Sequence, residues 1–224
     1  MTNVACLIQA RVKSTRLPGK TMLILPGGRS VIHEVMKRCG RIKGIDRHAV
    51  VIPDTADCLL LHDQIMGAAS CCEGEWHVYC GSETDVLSRY YRAAKILGAQ
   101  HIMRITADCP CIDPEVCSQV LALHLEGGYD YTSNVWPRTH PIGYDCEVFT
   151  RELLEWAHAT NTGLAREHVT TNMSDASRWR IGNLSQEIDE SGARLTLDTI
   201  DDFVAIWRYL SYETSERPVP IHYC

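Results

Sequence analysis

Apolar positions along the chain recur with two different periods. The short apolar run Val4–Gln9 reads as a buried β-strand, and His48–Pro53, Trp76–Cys80 and His101–Thr106 read as three further strands. Helical spacing fills the gaps between them. From Ser30, an N-cap residue, the apolar positions Val31, Ile32, Val35, Met36, Cys39 and Ile42 follow one helix face. A second helix is predicted over Asp57–Ala69. A third, over 84–97, places Val86, Leu87, Tyr90, Tyr91, Ala94 and Leu97 on one side and stops at Gly98. Asp113-Pro114-Glu115 joins a capping carboxylate, a proline in the first turn and an acid at the positive end of the dipole, so a fourth helix starts there and runs to Gly127-Gly128. Beyond it the pattern predicts strands at Tyr129–Asn134, Tyr144–Phe149, 178–183 and 193–197, with helices at 150–159, at 164–174 and from Thr199.

Strand–helix alternation through residue 126 implies right-handed βαβ units and an α/β fold on a mainly parallel sheet. There is no internal repeat or linker, and residues 1–224 read as one domain. Composition narrows the class. Hydrophobic residues make up 45% and charged residues 22%, so a disordered or fibrous chain is excluded. No apolar run approaches the roughly 20 residues that span a bilayer, and Val4–Ile8 is too short for a signal peptide. The eleven cysteines are odd in number and include no C-x-x-C, which points to reduced thiols in a cytoplasmic protein and away from a disulfide framework or a zinc site on Cys109 and Cys111.

The net charge of −6 is unevenly spread. The first 33 residues contain no acid but five cations, Arg11, Lys13, Arg16, Lys20 and Arg29, so the remainder carries −11. Such a chain is not a nucleic-acid coat, but it suits one small anion near its start. Arg11, Lys13, Arg16 and Lys20 all follow the first strand, where α/β sheets bind ligands, and Ser14 and Thr15 add donors. Together they match a triphosphate, although the segment is neither a Walker A loop nor G-x-G-x-x-G. From charge alone an ordinary exposed basic turn stays open.

The full string IQARVKSTRLPGK resembles the opening signature of the cytidylyltransferases that activate acidic sugars, the CMP-Kdo synthetase and acylneuraminate cytidylyltransferase superfamily, and within it the SpsF-like branch. The resemblance continues through GSETDVLSRYYRAA (81–94), RITADCPCIDPE (104–115), GGYDYTSN (127–134), REHVT (166–170) and LTLDTIDD (195–202). It implies a three-layer α/β/α, nucleotide-diphospho-sugar transferase-like domain with a Rossmann-like mixed sheet. The nucleotide part would span about 1–126, and an acceptor-binding and homodimer-forming part about 127–190. The implied reaction leaves CMP from CTP on an anionic acceptor, a nonulosonic or keto-sugar acid, and expels pyrophosphate with Mg²⁺ or Mn²⁺. On that resemblance Ala10, Arg11, Lys13, Ser14, Arg16, Lys20, Ser82 and Thr106 bind nucleotide, and Arg11, Lys20 and Asp108 carry catalysis. Asp108 and Asp198 are the implied metal ligands. Each follows an expected strand, and two hard oxygens beside a triphosphate suit Mg²⁺. Asp198 also reads as a helix N-cap, and Asp108 as a turn residue.

Arg138, His140, Asp145, Glu147, Arg166 and His168 are the polar groups expected at the acceptor, with a surface salt bridge as the plain alternative for Arg166 and Glu167. Two positions depart from the family pattern: Lys13 and Ala107 stand where glycine is usual. Lys13 leaves room for a phosphonate acceptor. A glycosyltransferase would carry an Asp-x-Asp pair where this chain has Ala107-Asp108-Cys109, and a non-catalytic nucleotide-binding protein would need no metal acids.

Overall fold

The computed structural model describes residues 3–213. Four strands, β1 (Val4–Gln9), β2 (Arg47–Pro53), β3 (Trp76–Gly81) and β4 (His101–Thr106), alternate with α1 (Val31–Cys39), α2 (Leu59–Ala69) and α3 (Val86–Leu97). After α4 (Pro114–Gly127) come β5 (Tyr131–Ser133), β6 (Glu147–Thr150), α5 (Arg151–Thr160), α6 (Leu164–His168), β7 (Ile181–Asn183) and α7 (Ile200–Glu213).

The seven strands form one sheet in the order β3-β2-β1-β4-β6-β5-β7. All pairings are parallel except those of β6, which is antiparallel to both β4 and β5. Strand alternation sorts the core into two layers. Cys6, Ile8, Val50, Ile52, Met103 and Ile105 pack against α1, α2 and α4. Ala5, Leu7, Ala49, Val51 and Ile102 pack on the other face against α3 and α5. Both faces are thus covered at β1 and β2, which is why those two strands read as nearly unbroken apolar runs, whereas β3 at the sheet edge is only half-buried. A smaller core of Leu25, Val31, Cys111, Leu195 and Leu197 seats α7.

Two of the predicted caps form, whereas Ser30 stands at the N-cap position of α1 without a side-chain hydrogen bond. Asp113 accepts from the backbone N–H groups of Glu115 and Val116, and Gly98 ends α3 in the left-handed conformation. Every cysteine among the described residues is free, and Cys109 and Cys111 are buried in different parts of the core. Among those residues no helix is long and apolar enough to cross a membrane.

The second half differs from expectation in detail. The strands there are shorter: β5 begins at Tyr131, β6 at Glu147 and β7 at Ile181. The helix expected over 164–174 stops at His168, because Val169 leaves helical geometry at φ 60. Residues 193–197 are not a strand of the sheet. They make one isolated bridge, Arg194 to Ile142, and dock on loops: Leu195 N–H donates to Ile142 O at 2.6 Å and Leu197 N–H to Asp108 O at 2.7 Å. Gly143 permits that approach, since a Cβ there would lie 2.6 Å from the Leu195 carbonyl carbon.

Candidate active site

The chain leaves β1 in one direction toward β2 and β3 and returns on β1's other side as β4, so β1 and β4 flank the topological switch point. Ligands bind outside the carboxyl ends of strands at such a point. Two loops meet there, residues 10–19 after β1 and the turn at Asp108 after β4. Gly19, at φ 69, folds the first loop back so that its N–H donates to Val12 O at 3.0 Å, and the Thr21 hydroxyl holds Arg11 O at 3.3 Å. Lys20 is thereby turned inward and is only 8% exposed.

The Lys20 ammonium joins three groups from distant parts of the chain. It lies 2.9 Å from Asp108 Oδ2, 3.1 Å from Asp198 Oδ1 and 2.7 Å from Leu197 O. Arg16 pairs with the same Asp198 oxygen at 2.9 Å, and Arg194 reaches Asp198 Oδ2 at 2.8 Å. Burial opposes ionisation of Asp108, but the Lys20 charge and hydrogen bonds from Thr106 and Lys20 outweigh it and hold the carboxyl below its ordinary range. Asp198 is not the cap of α7. That role falls to Thr199 and Asp202, each of which receives a bond from the other's segment, leaving the Asp198 carboxylate turned to the cations.

Asp108 and Asp198 converge on one position of positive charge, a donor set that suits a hard divalent cation. Among the described residues no three His, Cys, Asp or Glu side chains group as a metal site. A cation here would therefore complete its shell with phosphate oxygens and water, as Mg²⁺ commonly does.

A cleft of about 220 Å³ opens over this group. Ala10, Arg11, Ser14 and Arg16 line one side and Lys20, Thr106, Asp108 and Asp198 the other. Two expected nucleotide residues lie outside that lining. Lys13 is 61% exposed along its side chain and pairs with Glu83 at 2.9 Å, and the Ser82 hydroxyl receives the Asp85 N–H at 3.1 Å. The outward turn of Lys13 lets the loop do without the family's glycine. Ala107 fits equally well, since Val169 is the one non-glycine residue at positive φ among those described.

Thr106 also lines a larger, neighbouring cavity of about 760 Å³. Four of the expected acceptor residues, Arg138, Asp145, Glu147 and His168, face it. Arg138 is held bidentately by Asp145 at 2.6 and 2.9 Å. Glu147 is held between Arg104 and the Tyr131 hydroxyl, the latter at 2.6 Å. Burial and the adjacent Glu147 push the Tyr131 phenol well up. His140 and Arg166 do not line the cavity. His140 is buried, and Arg166 ties helices together through Asp85, His158 O and Asn161 O.

Several cavity groups escaped the sequence reading. Arg104 points the same way as the expected Thr106 because the two are two residues apart on β4. That signal was present in the RITADCP segment. Thr170, Thr171, Ser174 and Ser191 add hydroxyls, and Trp136, 80% exposed, forms part of the wall. Arg194 was missed as well, because its spacing of four from Asp198 lies outside any regular helix.

The segment that brings in His168 is strained. Val169 sits at φ 60, ψ −62, and Thr170 N–H donates to His168 O at 2.6 Å, a γ-turn of the rare hand. For a β-branched residue this conformation costs on the order of 1–3 kcal/mol. The buried Val169 and Met173 side chains pin it to the core.

The cytidylyltransferase family model matches residues 5–179. The chain is 29% identical over 228 residues to the spore coat polysaccharide biosynthesis protein SpsF of Bacillus subtilis, covering 97% of this chain and 90% of that one. A cytidylyltransferase from Leptospira borgpetersenii superposes with a TM-score of 0.88 at 29% identity, over 95% of this chain and 88% of its own. A CMP:2-keto-3-deoxy-manno-octonic acid synthetase solved with CTP shares the fold, with a TM-score of 0.71 at 14% identity over 95% and 100% of the two chains. The match over most of the length, the switch-point cleft and its cation–carboxylate cluster agree: the chain belongs to the cytidylyltransferase family and is a nucleotidyltransferase.

Proposed function

We propose that the protein transfers CMP from CTP to a hydroxyl of a polyhydroxylated keto-sugar acid, releasing pyrophosphate with the help of a divalent cation. The acceptor cavity carries this reading. At about 760 Å³ it exceeds what a small phosphonate needs, and it abuts the nucleotide cleft at Thr106. Its hydroxyls suit a polyol, and exposed Trp136 offers a flat face to a sugar ring. Among the described residues both cavity arginines are already balanced by carboxylates, so those residues lack the surplus charge a phosphonate dianion would demand. Lys13, the residue that favoured a phosphonate, is committed to Glu83.

In this reading Arg11, Arg16 and Lys20 hold the triphosphate and offset the charge that gathers on pyrophosphate as the α-phosphorus is attacked. Asp108 and Asp198 hold the cation, Mg²⁺ or Mn²⁺, which when bound polarises the phosphate oxygens. The approximate segment 127–190 is proposed as a homodimer contact as well, supported by the exposed Trp136, Leu164 and Ile188 within it. Sedimentation equilibrium returning a monomer would remove that contact. Function is tested by pyrophosphate release from CTP and Mg²⁺ with a panel of keto-sugar acids and phosphonates. Turnover with keto-sugar acids is expected. Release with phosphonates alone would replace the acceptor class, and release with no compound would overturn the proposal.

A further inference from the structure

A sugar hydroxyl must lose a proton as it attacks phosphorus, and the family signature supplies no evident base in this chain. Among the described residues, six titratable side chains line the acceptor cavity: Arg104, Tyr131, Arg138, Asp145, Glu147 and His168. Five are committed to one another. Asp145 takes Arg138 through both oxygens, and Glu147 takes Arg104 and the Tyr131 hydroxyl. His168 is different. Its backbone carbonyl is bonded to Thr170, but among the described residues no hydrogen bond or ion pair reaches its imidazole.

Its placement is equally specific. The preceding residue, Glu167, contacts Arg11 of the nucleotide cleft at 3.5 Å, so the end of α6 stands at the seam between the two cavities. The γ-turn at Val169 breaks the helix there and presents His168 and Thr170 to the acceptor side while Val169 is buried. Strain retained by a buried anchor beside a cavity is characteristic of functional positions.

We propose that His168 is the general base of the transfer. As the acceptor oxygen forms its bond to the α-phosphorus and the bond from that phosphorus to the pyrophosphate oxygen breaks, the hydroxyl proton passes to an imidazole nitrogen. The resulting imidazolium releases the proton to solvent after the products leave. Val169 is a positioning residue for this step. The charged groups around the imidazole are Arg104, Arg138, Asp145 and Glu147 across the cavity, Arg11 from the nucleotide loop, Arg166 and Glu167 on its own helix, and Asp85 of the segment packed against that helix.

The inference rests on the transfer to a sugar hydroxyl proposed above, and the test separates the two. The full-length protein, its His168→Gln form and its His168→Ala form are assayed for pyrophosphate release with CTP, Mg²⁺ and the keto-sugar acid panel. His168→Gln is expected to lower kcat about 100- to 10,000-fold, to leave CTP binding unchanged and to abolish the acid limb of the kcat/KM profile. Added imidazole is expected to restore part of the rate of His168→Ala. If His168→Gln keeps its rate and acid limb, or changes only the acceptor KM without rescue of the Ala form, His168 is not the base. If the unaltered protein releases no pyrophosphate with any acid, the proposed function falls and this inference with it.

Discussion

At the scale of single residues, the cleft is organised by one lysine and two aspartates that lie far apart in sequence. Two substitutions separate their roles. Asp108→Asn keeps an isosteric side chain and removes the charge that would hold the proposed cation beside the triphosphate, so kcat is expected to fall at least about a hundredfold with an unchanged circular dichroism spectrum. Normal turnover would remove Asp108 from the mechanism. Lys20→Met leaves Asp108 and Asp198 facing each other without their shared ammonium, so it should cost about 2–4 kcal/mol of stability in chemical denaturation as well as activity. An unchanged denaturation midpoint would show that solvent and Arg16 suffice. These residues were legible in the sequence because each ends or follows a strongly patterned strand or belongs to a motif. Arg194 and Trp136 were not: a tryptophan is read by default as core, and Arg194 reaches Asp198 from an irregular loop.

At the scale of elements, the parallel half was readable because every strand and helix there carries its own period and caps. The second half was less so. Leu195 and Leu197 alternate with polar residues as a strand would, yet their backbone is satisfied by Ile142 and Asp108 from two loops, a pairing no local pattern reports. The seam between β4, α4 and β5 gives an element-scale prediction. His101 Nδ1 lies 2.9 Å from His124 Nε2, and His124 Nδ1 lies 3.0 Å from the Thr132 hydroxyl. Burial first, and the neighbouring His101 second, depress His124 to about 3. A histidine held neutral in the fold binds fewer protons than in the unfolded chain. Its contribution is therefore complete above the unfolded value of about 6.5 and is lost as pH falls from there toward about 3. The melting temperature is expected to drop across that window, and His124→Gln is expected to flatten the slope. An identical pH dependence in the two forms would assign the loss to other groups.

At the scale of the whole molecule, cleft and cavity sit side by side at one edge of the sheet, the cleft lined mainly by the first half of the chain and the cavity mainly by the second. The reversed strand β6 explains how this comes about. Because β6 runs against β4, its first residue, Glu147, pairs with Arg104 near the carboxyl end of that strand. The chain from Asn134 to Cys146 thus begins after β5 and ends before β6 at the same edge of the sheet, an excursion whose two stems stay fixed on neighbouring strands. Such an excursion is interchangeable in principle: evolution can rewrite its lining while the strands, and the nucleotide loop beyond them, stay as they are. Grafting the corresponding stretch of a relative with a different acceptor is expected to change which acid is consumed while leaving the KM for CTP within about threefold, roughly 0.6 kcal/mol. Part of the substrate choice in this lineage would then be inherited separately from nucleotide choice, through a single loop.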